Sequence, residues 1–335
     1  ISMDHPLLYG HKLTYPFLID FFSAILLKLG LSIQQALLIP GVVLASNLVA
    51  LVFLITKRIS STSKSAVIAV LLFFLNGGWG WWYAVKAWQA SGLSLLDWLS
   101  NLQTSYTFNN EFNIHFSNIV TDYLLPQRPI LLGLSLGLII LYLVWESLVA
   151  NNPTGKKMLI LAGILSGLLP FTHQHTFLSM AFLLPLITIT LRFRQKNALK
   201  NLISDWLHIG IPAVSLALPQ LWWYLTNLNT GNYLAIQLGW MAKDESFLFF
   251  WWNNLGVFLP LAIIATIFAR PVLRRFLIPF WLLFLLTNIV KLQPYDYDNM
   301  KPMLFWLFAM TLAIGLIGER VWVKINHPLR IIIFA

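Results

Sequence analysis

Pro129-Ile130-Leu131-Leu132-Gly133-Leu134-Ser135-Leu136-Gly137-Leu138-Ile139-Ile140-Leu141-Tyr142-Leu143-Val144-Trp145-Glu146-Ser147-Leu148-Val149 holds a single charged side chain. An α-helix rises about 1.5 Å per residue, so this run reaches across roughly 30 Å of hydrocarbon. It lacks the strict apolar–polar alternation of a membrane β-barrel strand. Comparable blocks recur along the chain. Of 335 residues, 58% are hydrophobic and only 10% are charged, a balance that soluble domains do not normally show. The fold class is therefore all-α: a polytopic transmembrane helical bundle in the lipid bilayer.

Outward from 129–149, hydropathy predicts spans at 33–56, 65–85, 158–171, 175–191, 202–224, 248–269, 276–291 and 302–318. A further one opens near 329, for about nine to ten in all. The block 158–191 exceeds one span, and Pro170 with Thr172-His173-Gln174-His175 divides it. Residues 16–28 are apolar but short and carry Asp20 and Lys28, which suits an interfacial helix near the N-terminus. With no repeat and no soluble segment, residues 1–335 read as one transmembrane domain. The chain opens on Ile1 and ends on Ile331-Ile332-Ile333-Phe334-Ala335, inside an apolar block, so it reads as a fragment truncated at both ends.

Charge sets the expected orientation. Fifteen of the 22 Lys and Arg fall in alternate loops, which the positive-inside tendency assigns to the cytoplasm. The other face then holds the external loop and interfacial helix of 1–32, the long external loop 86–128, and the turns 172–174, 225–247 and 292–301. Nine of the twelve acids lie on that non-cytoplasmic face, and several tryptophans gather near it as an interfacial belt would. Basic residues scattered between apolar blocks record orientation, so the net charge of +10 does not indicate nucleic acid. With no cysteine, any chemistry uses other side chains.

Four polar clusters fall on that face. Gln293-Pro294-Tyr295-Asp296-Tyr297-Asp298-Asn299-Met300-Lys301-Pro302 is dense in donors for so short a turn; if extended, it points Asp296 and Asp298 the same way, ready to share a cation. A solvated hairpin neutralised by Lys301 is the plainer alternative. His173 and His175 are alternate residues at a helix break, able to bind metal, hold phosphate or move a proton, although no third ligand is adjacent. Gln127-Arg128 sits between Pro126 and Pro129 at the start of a span, where a guanidinium either grips a lipid phosphate or snorkels. Finally, Asp4, His5, His11 and Asp20 put titratable groups on the N-terminal stretch, Asp20 being either a surface acid of its helix or turned to a polar cavity.

His5-Pro6-Leu7, Gly10-His11, Leu13-Thr14-Tyr15-Pro16-Phe17 and Asp20, with Leu125-Pro126-Gln127-Arg128, His173-Gln174-His175 and Gln293-Pro294-Tyr295-Asp296-Tyr297-Asp298-Asn299, resemble uncharacterised bacterial members grouped with the GT-C class of integral-membrane glycosyltransferases. The resemblance covers nearly the whole chain and is architectural. It implies a transferase that moves a sugar from a polyprenyl-phosphate donor to an acceptor on the non-cytoplasmic face of a bacterial cytoplasmic membrane. By it, Asp4, Asp20, Asp296 and Asp298 are the catalytic candidates. His5, His11, Gln127, Arg128, His173, His175, Gln293, Tyr295, Asn299 and Lys301 are the substrate-binding candidates. In this class an acid of the first external loop acts on the acceptor, and that residue is expected upstream of Ile1. Cofactors are undetermined, with a divalent cation admissible. The alternative is a transporter or flippase, which proline-broken helices also suit. A membrane metal hydrolase using the histidine pair and Asp296/Asp298 is a third reading.

Overall fold

Helices form wherever apolar blocks run unbroken, and they stop at the glycines, prolines and amides between them. The structure is a computed structural model that describes residues 4–5, 8–150, 152–193, 195–227 and 234–324. In chain order its helices are α1 (Leu18–Lys28), α2 (Ile33–Ser60), α3 (Ser63–Phe74), α4 (Gly80–Ser91), α5 (Leu95–Ser100), α6 (Arg128–Leu148) and α7 (Gly155–Gly167). There follow α8 (Leu169–Thr172), α9 (Gln174–Arg192), α10 (Ala198–Asn227), α11 (Phe247–Leu255), α12 (Phe258–Phe268), α13 (Pro271–Thr287) and α14 (Met300–Lys324). Two-residue strands β1 (Ala235–Ile236) and β2 (Val290–Lys291) pair antiparallel, with Ala235 opposite Lys291. At 73% helix, the chain is an all-α, polytopic membrane protein.

Five of the expected spans, those at 33–56, 129–149, 175–191, 202–224 and 302–318, coincide with helices long and apolar enough to cross a membrane. Against the nine to ten expected, these five are the helices of 18 or more residues that pass by length and composition among the described residues. The block at 248–269 breaks at Gly256 (φ 55°), and α11 and α12 meet there at 97°, giving a sixth span only if the bent pair is counted as one. The block at 65–85 stops after 12 helical residues at Leu75-Asn76-Gly77-Gly78, and those at 158–171 and 276–291 yield helices of 13 and 17 residues. Asn-Gly and Gly-Gly punctuate a helix whatever the hydropathy around them. The span expected near 329 lies outside the described residues. The interfacial helix expected over 16–28 is present as α1.

The chain packs as two compact units, each assembled from three separate stretches. The first comprises residues 1–52, 127–233 and 271–283. Within it α7 lies against α10 through Gly163 and Gly167: a Cβ on either would collide with the Ile209 or Ala213 carbonyl of α10. Small residues four apart let helix backbones approach closely, the usual way to gain packing in a lipid environment. Arg192 clamps Asp205 bidentately, Nε to Oδ2 at 2.7 Å and Nη2 to Oδ1 at 3.1 Å, joining α9 to α10. The helical ladder breaks between Gly167 and His173, and Gln220 of α10 takes up the freed backbone groups. Its Oε1 accepts from Phe171 N (2.9 Å) and its Nε2 donates to the Gly167 carbonyl (2.7 Å). Unpaired backbone polar groups are costly where water is scarce, so this one side chain makes the break tolerable.

The second unit comprises residues 53–126, 234–270 and 284–335. Here α3 packs on α14, where a Cβ on Gly315 would lie 2.5 Å from the Ser65 carbonyl oxygen. The segment following α3 is drawn close to α11, and Gly78 presses on the Asn253 and Asn254 backbone while Trp79 N donates to the Asn253 carbonyl at 2.9 Å. The long polar segment 86–128 includes the short helix expected around Asp97, α5, whose N-cap Ser94 accepts from Asp97 N.

Candidate functional site

The first unit gathers polar side chains from three distant stretches. Asp20 and Ser23 are three residues apart on α1 and therefore share a face. Arg128, the first residue of α6, spreads its fork over both: Nη1 reaches Asp20 Oδ1 at 3.0 Å and Nη2 donates to Ser23 Oγ. Ser23 is buried, the Arg128 side chain is 20% exposed, and that of Asp20 is 59% exposed, so the pair presents a carboxylate outward from a sheltered guanidinium. Gln127, half-buried, precedes the helix. Phe17 and Phe171 rings, 5.4 Å apart, bring the start of α1 to α8.

Next to this lies the histidine pair. His173 has an extended backbone (φ −163°, ψ 102°) and occupies the N-cap position of α9, and its ring centroid is 5.2 Å from that of His175. Only His173 is extended; Gln174 and His175 already belong to α9, so the rings approach across the helix start and not along an extended segment. His173 Nδ1 meets Thr176 Oγ1 at 2.9 Å, and its ring fills the space a Cβ on Gly133 would take. Gly133 is five residues along α6 from Arg128, about 7.5 Å of helix rise. Neither α6 nor α9 carries an acid in its first turn. Acids ordinarily gather there, because helix N-termini are partly positive. In this unit an arginine and a histidine take those positions, so both helix ends and their side chains favour an anion.

The N-terminal candidates form a local hairpin. Asp4 bridges Lys12, Oδ1 to Nζ at 2.5 Å; His5 Nδ1 accepts from Leu8 N; His5 N donates to the exposed His11's carbonyl. Trp223 Nε1 anchors the following residue, Leu13, through its carbonyl at 3.0 Å.

In the second unit, the 293–301 turn differs from its expected extended form. Asp296–Asn299 is a 3-10 helix, so residues two apart do not point the same way. Asp296 pairs with Lys291 at 2.6 Å and Asp298 with Lys301 at 2.9 Å, each acid thus facing its own lysine. The expectation of a shared cation between Asp296 and Asp298 is corrected on that geometry. Asn299, a substrate-binding candidate, is buried and braces the turn: Nδ2 donates to the Thr287 and Val290 carbonyls and Oδ1 accepts from Leu292 N. Gln293 is buried and Tyr295 is exposed. Among the described residues, no three histidines or carboxylates are grouped to hold a metal ion.

Several residues here escaped the sequence reading. Tyr297, next to the chosen Tyr295, stacks on the buried Tyr123 and bonds Ser117 through its hydroxyl. Burial foremost, then the neighbouring Tyr297, holds the Tyr123 phenol well above its usual range. His115 is fully buried beside Phe108 and Phe250, and neither ring nitrogen has a partner among the described residues. Burial, and secondarily the charge of Lys243, lowers its pKa to about 4, so it is neutral at pH 7. Asn254 fixes that loop: Oδ1 accepts from His115 N (2.6 Å) and Phe116 N (2.8 Å), and Nδ2 donates to the Asn113 and Phe250 carbonyls (both 2.9 Å). An asparagine within an apolar helix was the available signal.

Comparison with protein-family models, characterised proteins and solved structures finds no match to this chain.

Proposed function

We propose that this chain belongs to a membrane glycosyltransferase that takes a sugar from a polyprenyl-phosphate donor on the non-cytoplasmic face of a bacterial cytoplasmic membrane. The observation that carries the reading is Arg128 at the amino end of α6, its guanidinium sheltered and its partner Asp20 open to solvent. A planar fork of donors suits a phosphate, and the departing lipid phosphate needs positive charge where its negative charge grows. His173 and His175 at the start of α9 supply a second positive helix end in the same unit. Asp20, paired to Arg128 and open to solvent, is placed to position the acceptor. The test is transfer of labelled sugar from a polyprenyl-phosphate donor by the full-length protein. Arg128→Ala lowers transfer by about 10²–10³ if the reading holds, and unchanged turnover in that variant overturns it.

The transporter reading draws on one observation of its own, the 97° bend between α11 and α12. Discontinuous helices commonly line translocation paths. Substrate flux into sealed proteoliposomes without sugar transfer would favour it.

A further inference from the structure

The second unit contains a cleft of about 1050 Å³ whose walls come from α3, α5, the α11–α12 bend and the segments joining them. It is larger than most small-molecule pockets, which run roughly 300–1,000 Å³. Its lining is mainly aliphatic and aromatic, and Leu75, Leu102 and Leu261 on its walls are 73%, 44% and 44% exposed. Such leucines are unfavourable against water and at ease against hydrocarbon. In a protein whose long helices cross a bilayer, a cleft with these walls is filled by lipid chains.

Its polar groups say which lipid. No lysine, arginine or histidine lines the cleft, and Asp122 is its one carboxylate. Asp122 is half-buried, accepts from Thr121 Oγ1 at 2.8 Å, and makes no ion pair among the described residues. Trp79, also on the wall, has a buried indole N–H that finds no acceptor among them. A carboxylate without a countercharge repels phosphate and accepts from a hydroxyl, whereas the Trp79 N–H is sealed from the cleft and takes no part. We infer that this cleft binds a membrane lipid with a hydroxyl head and no phosphate. The hydroxyl donates to Asp122, and the chains lie along the leucines.

This site is independent of the transferase reading, and its test measures binding alone. The purified full chain in detergent is given equal amounts of dioleoylglycerol and dioleoylphosphatidic acid, which share their chains and differ in the phosphate, and retained lipid is read by native mass spectrometry. The expected result is a preference of about fivefold or more for dioleoylglycerol, reversed by Asp122→Lys. Leu75→Trp and Leu261→Trp, at exposed positions that tolerate bulk, cut dioleoylglycerol retention about threefold or more by filling the cleft. If either variant elutes as aggregate, Leu102→Trp takes its place. Equal or greater retention of phosphatidic acid by the unmodified chain overturns the proposal. So does retention of neither lipid, or dioleoylglycerol binding indifferent to every tryptophan variant, which would mark it as lipid of the general annulus.

Discussion

Arg128 and Lys301 were both expected to bind substrate, and their surroundings are opposite in kind. Lys301 is paired three residues away, to Asp298, inside one turn whose other acid has its own lysine. Such a turn neutralises itself from local sequence and keeps little charge for a ligand. Arg128 is paired across 108 residues to an acid that is mostly in solvent, at a helix end with no acid of its own. Its field is only partly compensated, and its partner can turn away when an anion arrives. Ion pairs of nearly the same length thus differ in setting: one lies within a single turn, the other joins two helices far apart in sequence.

The sharpest way to break that contrast is substitution of the two cations. Arg128→Ala is expected to lower sugar transfer by about 10²–10³, and Arg128→Lys, which keeps the charge but loses the fork, by about tenfold. A larger loss from Lys301→Ala than from Arg128→Ala would reverse the assignment. The second unit should instead fail in stability. Asn254→Ala strands the buried His115 and Phe116 N–H groups and is expected to cost about 3 kcal/mol, read as a lowered unfolding midpoint in detergent.

A pH titration sharpens the same point. His115 has a folded pKa of about 4 against 6.5 when unfolded, so the unfolded chain takes up the proton first as pH falls. Its contribution is complete above pH 6.5 and is lost progressively down to pH 4, by up to about 3 kcal/mol. The unfolding midpoint of His115→Phe should lack that part of the pH dependence. The smallest effects are expected for Asp296→Asn and Asp298→Asn, each within about threefold of normal transfer, since each acid is matched to a lysine within the unit. A loss of tenfold or more in either would return the turn to the site.

What could be read in the sequence followed from continuity. The five long helices follow apolar runs that no Asn-Gly or Gly-Gly step divides, and they continue through Pro40, Pro185, Pro212 and Pro219. The broken blocks misled because window-averaged hydropathy hides Asn76-Gly77-Gly78 and Gly256, whose backbone demands act at single residues. Of the candidate site, Asp20, Arg128, His173 and His175 stood out as polar groups in apolar surroundings. Which of them meet depended on chain crossings that no local pattern encodes. The Asp296/Asp298 pair was misjudged because spacing gives a direction only when the backbone state is known, and a 3-10 turn rotates each residue by about 120°. His115 and Asn254 gave the weakest signal, since their roles are hydrogen bonds to, or burial against, parts of the chain far away in sequence.

The interleaving of the two units bears on biosynthesis. Residues 271–283 belong to the first unit, yet they leave the ribosome after 53–126 and 234–270 of the second. Synthesis normally lets an N-terminal domain finish before the next begins. Here the first unit waits for α13, and the second waits for α14, so a nascent chain stopped before residue 271 holds neither unit complete. Each unit stays incomplete within the membrane until α13 or α14 has been made.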